Sequence, residues 1–188
     1  MKLTLIPHVL FVFLCAPVGV YSQQPVNPDS LIAQDFENRV ADYVKIHKLA
    51  EAKVPSLKPT DSPASIAVRE DGFARAIRAA RPGARQGDIF TPAISAEFRR
   101  LIAITMRGRN AARIRASLAH AEPVDPQIAV NGSYPMRAGV PLQSTPPTLL
   151  LNLPQLPHEV EYRIVGRSLV LRDVKANLIV DFMPRAIQ

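Results

Sequence analysis

Eight prolines fall between Ala121 and Pro157, at positions 123, 126, 135, 141, 146, 147, 154 and 157, nearly half of the 18 in the chain. Proline fixes its own φ and brings no backbone N–H, so a stretch this dense excludes long helices and central strands. Regular structure must therefore come from the sequence on either side, and the two flanks carry different periods. Before Ala121 apolar residues recur every three or four positions, the helical spacing. After Pro157 they alternate, the strand spacing.

A first helix is expected from about Ser30 to Val54, with Asp29 as N-cap. Its stripe is Phe36, Val40, Tyr43, His47, Ala50 and Val54, and Pro55 stops it. Three later starts share one device: Ser62-Pro63, Thr91-Pro92 and Thr145-Pro146. A hydroxyl at the cap accepts from an orphan backbone N–H, and proline next to it gives up no needed donor. The second helix is then predicted over Pro63–Arg81, with Ile66, Phe73, Ile77 and Ala80 inward and Gly72 marking a close crossing or bend. The third is predicted over Pro92–Arg107, with Ile94, Phe98, Leu101, Ile102 and Thr105 inward and Gly108 as its stop. A shorter fourth, Ala111–Ala119, carries Ile114 and Leu118.

Within the proline-rich stretch, Gln127–Val130 reads as a short strand, Asn131-Gly132 as a turn and Pro147–Leu153 as a short helix. Beyond it, Val160, Tyr162 and Ile164 alternate with Glu161 and Arg163, and Leu169 and Leu171 alternate with Ser168 and Arg172. Gly166-Arg167 suits a two-residue hairpin loop with glycine first. Leu178, Val180 and Phe182 supply a third strand. These patterns predict an α+β fold, with an N-terminal layer of three to four helices packed on a small C-terminal antiparallel β-meander. One domain is expected over residues 30–188: a helical part (30–120), a proline-rich connection (121–157) and the meander (158–188).

The first 22 residues read as an export signal. Lys2 is followed by the apolar run Val9–Ala16, shorter than the roughly 20 residues that span a bilayer. Val20 and Ser22 then place compact side chains at −3 and −1 of a cleavage site before Gln23, and residues 23–29 read as a polar linker. Cys15, the single cysteine, lies within the apolar run after Leu14, a poor context for lipid attachment. Its loss on cleavage excludes disulfides, thiolate metal sites and cysteine nucleophiles from the mature chain. No second apolar stretch approaches spanning length, so a soluble periplasmic or secreted protein is expected.

Of the formal net charge of +7, all but the unit on Lys2 stays with the mature chain. It is concentrated between Arg69 and Arg115, where eleven arginines face Glu70, Asp71, Asp88 and Glu97 alone. A field of one sign attracts anionic partners, and the guanidinium fork binds phosphate or carboxylate through two N–H groups at once. Arg99, Arg100, Arg109, Arg113 and Arg115 are the anion-binding candidates. The same arginines also suit a solvated helical face.

Catalytic signatures are weak. The histidines after the signal, His47, His120 and His158, form no HExxH or close pair, and His47 falls on an apolar stripe as a core histidine would. Neither G-x-S-x-G, S-x-x-K nor a glycine-rich phosphate loop occurs, and neither cofactor nor metal is expected. Ser117 and His120 lie three apart without an orienting acid. Asp88 and Glu97 are the carboxylates that a small cell-wall glycan hydrolase would use, but the turn before Thr91 accounts better for Asp88, and an ion pair among Arg99 and Arg100 for Glu97. Asp173 and Asp181 bracket the third strand. Nucleic acid suits the charge, but Phe73, Phe90 and Phe98 fall on inward faces and export removes the chain from that partner.

Two stretches, Arg78–Leu101 (RAARPGARQGDIFTPAISAEFRRL) and Val140–Pro184, including VPLQSTPPTLLLNLPQLPHEVEYRIVGRSLVLRDVKANLIVDFMP, resemble a set of uncharacterised exported proteins of Gram-negative bacteria. The resemblance implies periplasmic or secreted location and no functional residue. The expected function is thus non-catalytic binding of an anionic envelope polymer, lipid or protein partner through the arginine-rich helices, and the alternative is the hydrolase using Asp88 or Glu97.

Overall fold

A computed structural model of the chain describes residues 28–56, 59, 61–119, 128–134 and 145–187. The predicted export signal, most of the linker behind it, His120 and much of the proline-rich connection lie outside the described residues. The order of elements is α1 (Pro28–Glu51), α2 (Pro63–Ala80), α3 (Pro92–Arg107), α4 (Ala111–Leu118), α5 (Pro147–Leu150), β1 (Val160–Val165), β2 (Ser168–Asp173) and β3 (Leu178–Met183). Helices come first and a three-stranded antiparallel sheet, ordered β1-β2-β3, closes the chain. The fold is α+β, as the change of period implies. Among the described residues no helix is long and apolar enough to cross a membrane.

Two of the hydroxyl–proline starts behave as caps. Ser62 Oγ accepts from Ser65 N and Thr91 Oγ1 from Ile94 N, each at 3.4 Å. The third does not: α5 begins after Pro146, and Thr145 Oγ1 donates to the Tyr162 carbonyl at 3.2 Å, tying the connection to β1. The first helix starts earlier than expected, so Asp29 sits in its first turn, where a carboxylate favours the helix dipole without being the cap. In α2 the buried residues are Phe73, Ala74 and Ile77, while Ile66 and Ala80 are exposed. Only the second half of α2 faces the core.

That core is centred on four rings. Phe36 of α1 lies 4.8 Å from Phe98 of α3, 5.8 Å from Phe90 and 6.2 Å from Tyr162 of β1. Helix, loop and sheet therefore meet at one point, and aromatic pairs at such distances contribute about 0.5–1.5 kcal/mol beyond area burial. Around them pack Ile77, Ile94, Ile102, Ile114 and Leu149, with Leu169, Leu171, Leu178 and Val180 from the sheet.

The sheet differs from expectation in having two buried faces. Val165, Val170 and Ile179 form a second cluster with Tyr134, which comes from the segment 128–134. Arg163 and Arg172, read from the alternation as outward polar residues, are buried there, with the Arg172 guanidinium 4.9 Å above the Tyr134 ring. The short strand expected at Gln127–Val130 is absent among the described residues Ile128–Val130. Pairing instead falls at Ser133, which bridges Leu178. Asn131 takes φ 63°, and a Cβ at Gly132 would meet the Ala129 carbonyl oxygen at 2.8 Å, so the chain turns here before it can pair. Phe182 packs on this second face too. Leu171 pairs Asp181 while Arg172 pairs Ile179, leaving Val180 as an extra residue, and this bulge reverses which side the following residues face. Gly166, with φ 58°, makes the β1–β2 loop as predicted.

Candidate functional site

Most arginines of the basic segment are spent on the fold. Arg78 Nε donates to the Asn131 carbonyl at 2.7 Å, and Arg81 Nη1 to that of Val180 at 3.0 Å. Arg99 Nη2 reaches the Pro184 carbonyl at 3.0 Å, so this anion-binding candidate ties α3 to the end of the chain. Arg100 binds Glu97 through Nε at 2.7 Å and Nη2 at 2.6 Å, and also reaches Asp29 Oδ2 at 3.0 Å. It joins α3 to the start of α1.

The remaining candidates gather at the α3–α4 corner. Ala111 and Ile114 are buried, which turns Arg113 and Arg115 outward on either flank of α4. Arg115 Nη2 donates to the Met106 carbonyl at 3.3 Å, bringing it beside the last turn of α3, where Arg107 stands. Arg109 lies in the one-turn connector closed by Ala111 N to Gly108 O at 3.0 Å. Arg107, Arg109, Arg113 and Arg115 are all exposed. Among the described residues no carboxylate pairs with Arg107, Arg109 or Arg113. The sequence is also free of acids from Phe98 to Ala121. Part of this charge complements the carbonyl end of α3; four cations exceed what one helix end needs. Arg107 was not singled out in the sequence. The absence of acids was the signal that could have found it.

Asp88 and Glu97 line separate depressions. Asp88 borders a groove of about 360 Å³ with Arg39, Tyr43 and Arg81, and its Oδ2 accepts from Arg85 N at 2.8 Å as a turn cap. Glu97 borders another of about 260 Å³ with Asp29 and Leu151. The hydrogen bonds from Arg100 hold the Glu97 carboxyl below its ordinary value, whereas a glycosidic general acid requires a raised one.

A third group of residues comes together only in the fold. His47 and Asp173 are both wholly buried, with Nδ1 2.6 Å from Oδ2. Tyr43 Oη donates to the same oxygen at 2.7 Å, and Ala176 N to Oδ1 at 2.8 Å. Burial, then the neighbouring carboxylate, pushes the Tyr43 hydroxyl far up, so it remains a donor. A histidine oriented by aspartate supplies two of the three members of a nucleophilic triad, and the nucleophile would have to stand at Nε2. Here Nε2 makes no hydrogen bond and lies 3.6 Å from Glu51 Oε2, while Phe73 meets the ring edge-on at 4.9 Å. With no surface to admit substrate, the group acts as a lock between α1 and the β2–β3 turn. Its partners stand 126 and 130 residues apart, beyond any local pattern. Among the described residues no group of three or more histidine, cysteine or acidic side chains is placed to hold a metal.

No family model, curated protein or solved structure matches the chain.

Proposed function

We propose that this is an exported, non-catalytic protein that binds an anionic envelope component, a polymer or lipid bearing phosphate or carboxylate groups, through the α3–α4 arginine corner. One observation carries the reading: Arg107, Arg109 and Arg113 are exposed and unpaired among the described residues, beside Arg115. Unpaired guanidinium groups in close array concentrate polyanions and engage their oxygens two at a time. Arg99 and Arg100, engaged in holding the fold, contribute to the field and not to contact. The export-type N-terminus supports a periplasmic or secreted setting, where such polymers and lipids are the abundant anions.

Co-sedimentation with anionic envelope fractions across a salt series tests this. Binding is expected to weaken steeply with salt, since exposed charges are screened beyond about 8 Å at physiological ionic strength. The triple reversal Arg107→Glu, Arg109→Glu and Arg113→Glu should abolish it, while Arg85→Glu, an exposed arginine away from the corner, should change it by less than about twofold. Salt-insensitive binding, or equal loss in both variants, would remove the corner from consideration.

A further inference from the structure

Between the end of α1 and α2 lies a groove of about 550 Å³, within the ~300–1,000 Å³ typical of small-molecule sites. Its walls are mainly apolar, from Val54, Pro55, Ala64 and Val68; its charged side is Arg69 and Arg75, with Ser56 and Ser65 the other polar residues. Val68 is 70% exposed although it belongs to this wall, so apolar surface is open to solvent here.

Gly72 forms the floor, three residues from each arginine. Glycine weakens a helix interior, and nothing around it requires one. Its φ is not left-handed, and an added Cβ would meet only Val54 Cγ1 at 3.9 Å and Arg75 Nη2 at 3.8 Å, both ordinary contacts. The missing side chain therefore serves to leave space rather than to relieve a clash. The same contact shows the Arg75 guanidinium folded over that floor.

The two cations are incompletely matched. Arg69 Nη2 is 3.5 Å from Glu51 Oε1, an oxygen already held by Lys175 Nζ at 2.8 Å. Arg69 Nε is buried without a hydrogen-bond partner, and Arg75 is exposed and forms no ion pair among the described residues. One glutamate outside the groove is thus shared by Lys175 and Arg69, and Arg75 lies across the groove floor.

We infer that this groove binds a small anionic amphiphile, an aliphatic monocarboxylate whose head group lies between Arg69 and Arg75 and whose chain lies on Val54, Ala64 and Val68. The site is separate from the α3–α4 corner and does not depend on it.

Octanoate is the probe, titrated into the purified protein by calorimetry and by amide chemical-shift mapping. Saturable binding is expected, with shifts centred on residues 64–75. Octan-1-ol, which lacks the charge, and acetate, which lacks the chain, should each bind at least about tenfold more weakly, and Arg75→Gln should lose a similar factor. Gly72→Leu fills the floor and should abolish binding. Val68→Glu, at an exposed position, makes the same test by repulsion should the leucine disturb folding, which circular dichroism checks. Reversal of Arg107, Arg109 and Arg113 should leave octanoate binding unchanged, which separates the two sites. No saturable binding, equal affinity for octan-1-ol, or binding unaffected in both Gly72→Leu and Val68→Glu would overturn the assignment.

Discussion

Asp181 shows how one side chain can organise a loop ninety residues away. It is wholly buried, and its carboxylate accepts four backbone N–H groups: Gly87 at 3.0 Å, and Ile89, Phe90 and Phe182 at 2.8 Å each. Oδ2 alone receives Ile89 and Phe90, which sets Phe90 against Phe36 and fixes the entry to α3. Gly87, at φ 91°, supplies the left-handed turn that aims these donors inward. An amide at this position would confront donors with its own N–H₂, leaving buried groups unsatisfied. Asp181→Asn should therefore cost about 3 kcal/mol, the scale for disabling one partner of a buried charged network. Asp88→Asn removes an acid from the same loop where it is exposed, and should cost less than about 1 kcal/mol. Urea unfolding of the two variants measures the contrast, and equal midpoints would show that the carboxylate is not the organising group. In the sequence Asp88 reads as a turn residue and Asp181 as an acid bracketing the third strand, because the four donors that distinguish Asp181 belong to folded backbone.

At the scale of elements, what is encoded locally was legible and what depends on distant partners was not. Helices α2 and α3 begin where a hydroxyl precedes proline, and the strands follow the alternation and the Gly166 loop, all within a few residues of their signals. Thr145-Pro146 carries the same signal, yet Thr145 is drawn to the Tyr162 carbonyl and leaves the cap unfilled. The cover that Tyr134 provides over the second sheet face comes from the distant pairing of Ser133 with Leu178, and the bulge at Val180 from a slip between β2 and β3 that simple alternation does not show, so Phe182, Arg163 and Arg172 face surroundings the alternation does not give. The arginine corner was legible as charge, but which arginines are free depends on carbonyls that only the fold positions. The α1 lock tests how elements are joined. Tyr43→Phe removes one of three donors to Asp173 and should cost about 1 kcal/mol, whereas Asp173→Ala strands Tyr43, His47 and Ala176 N and should cost about 3–5 kcal/mol. In the double variant the Tyr43 contribution should nearly vanish, because its acceptor is gone. Additive losses would mean that Tyr43 and Asp173 act independently.

For the whole molecule, α1 is pinned by charge at both ends. At its start, Arg100 joins Asp29 and Glu97; at its end, Lys175 and Arg69 converge on Glu51. The hydrogen bond from Lys175 is the main reason that the Glu51 carboxyl lies below its ordinary value of 4.5, and those from Arg100 do the same for Glu97. A carboxyl whose value is lowered on folding binds protons more readily when unfolded, so stability rises with pH across the window. The contribution is complete above 4.5 and is lost as pH falls through the lowered values. Glu70 opposes this: burial raises it, so its cost at neutral pH is relieved by acid. Glu159 is held low as well, burial being outweighed by its own backbone N–H and the neighbouring His158 and Lys48, so three lowered carboxyls against one raised give a net loss on acidification, compounded by the repulsion of a chain already at +7. The melting temperature should therefore fall as pH is lowered from about 5 to about 3, and added salt should reduce the part due to repulsion. Glu51→Gln and Glu97→Gln should each flatten that acid limb while Glu70→Gln steepens it. A melting temperature constant across the window, or an acid limb unchanged in both glutamine variants, would show that the ends of α1 are held by packing and not by these pairs.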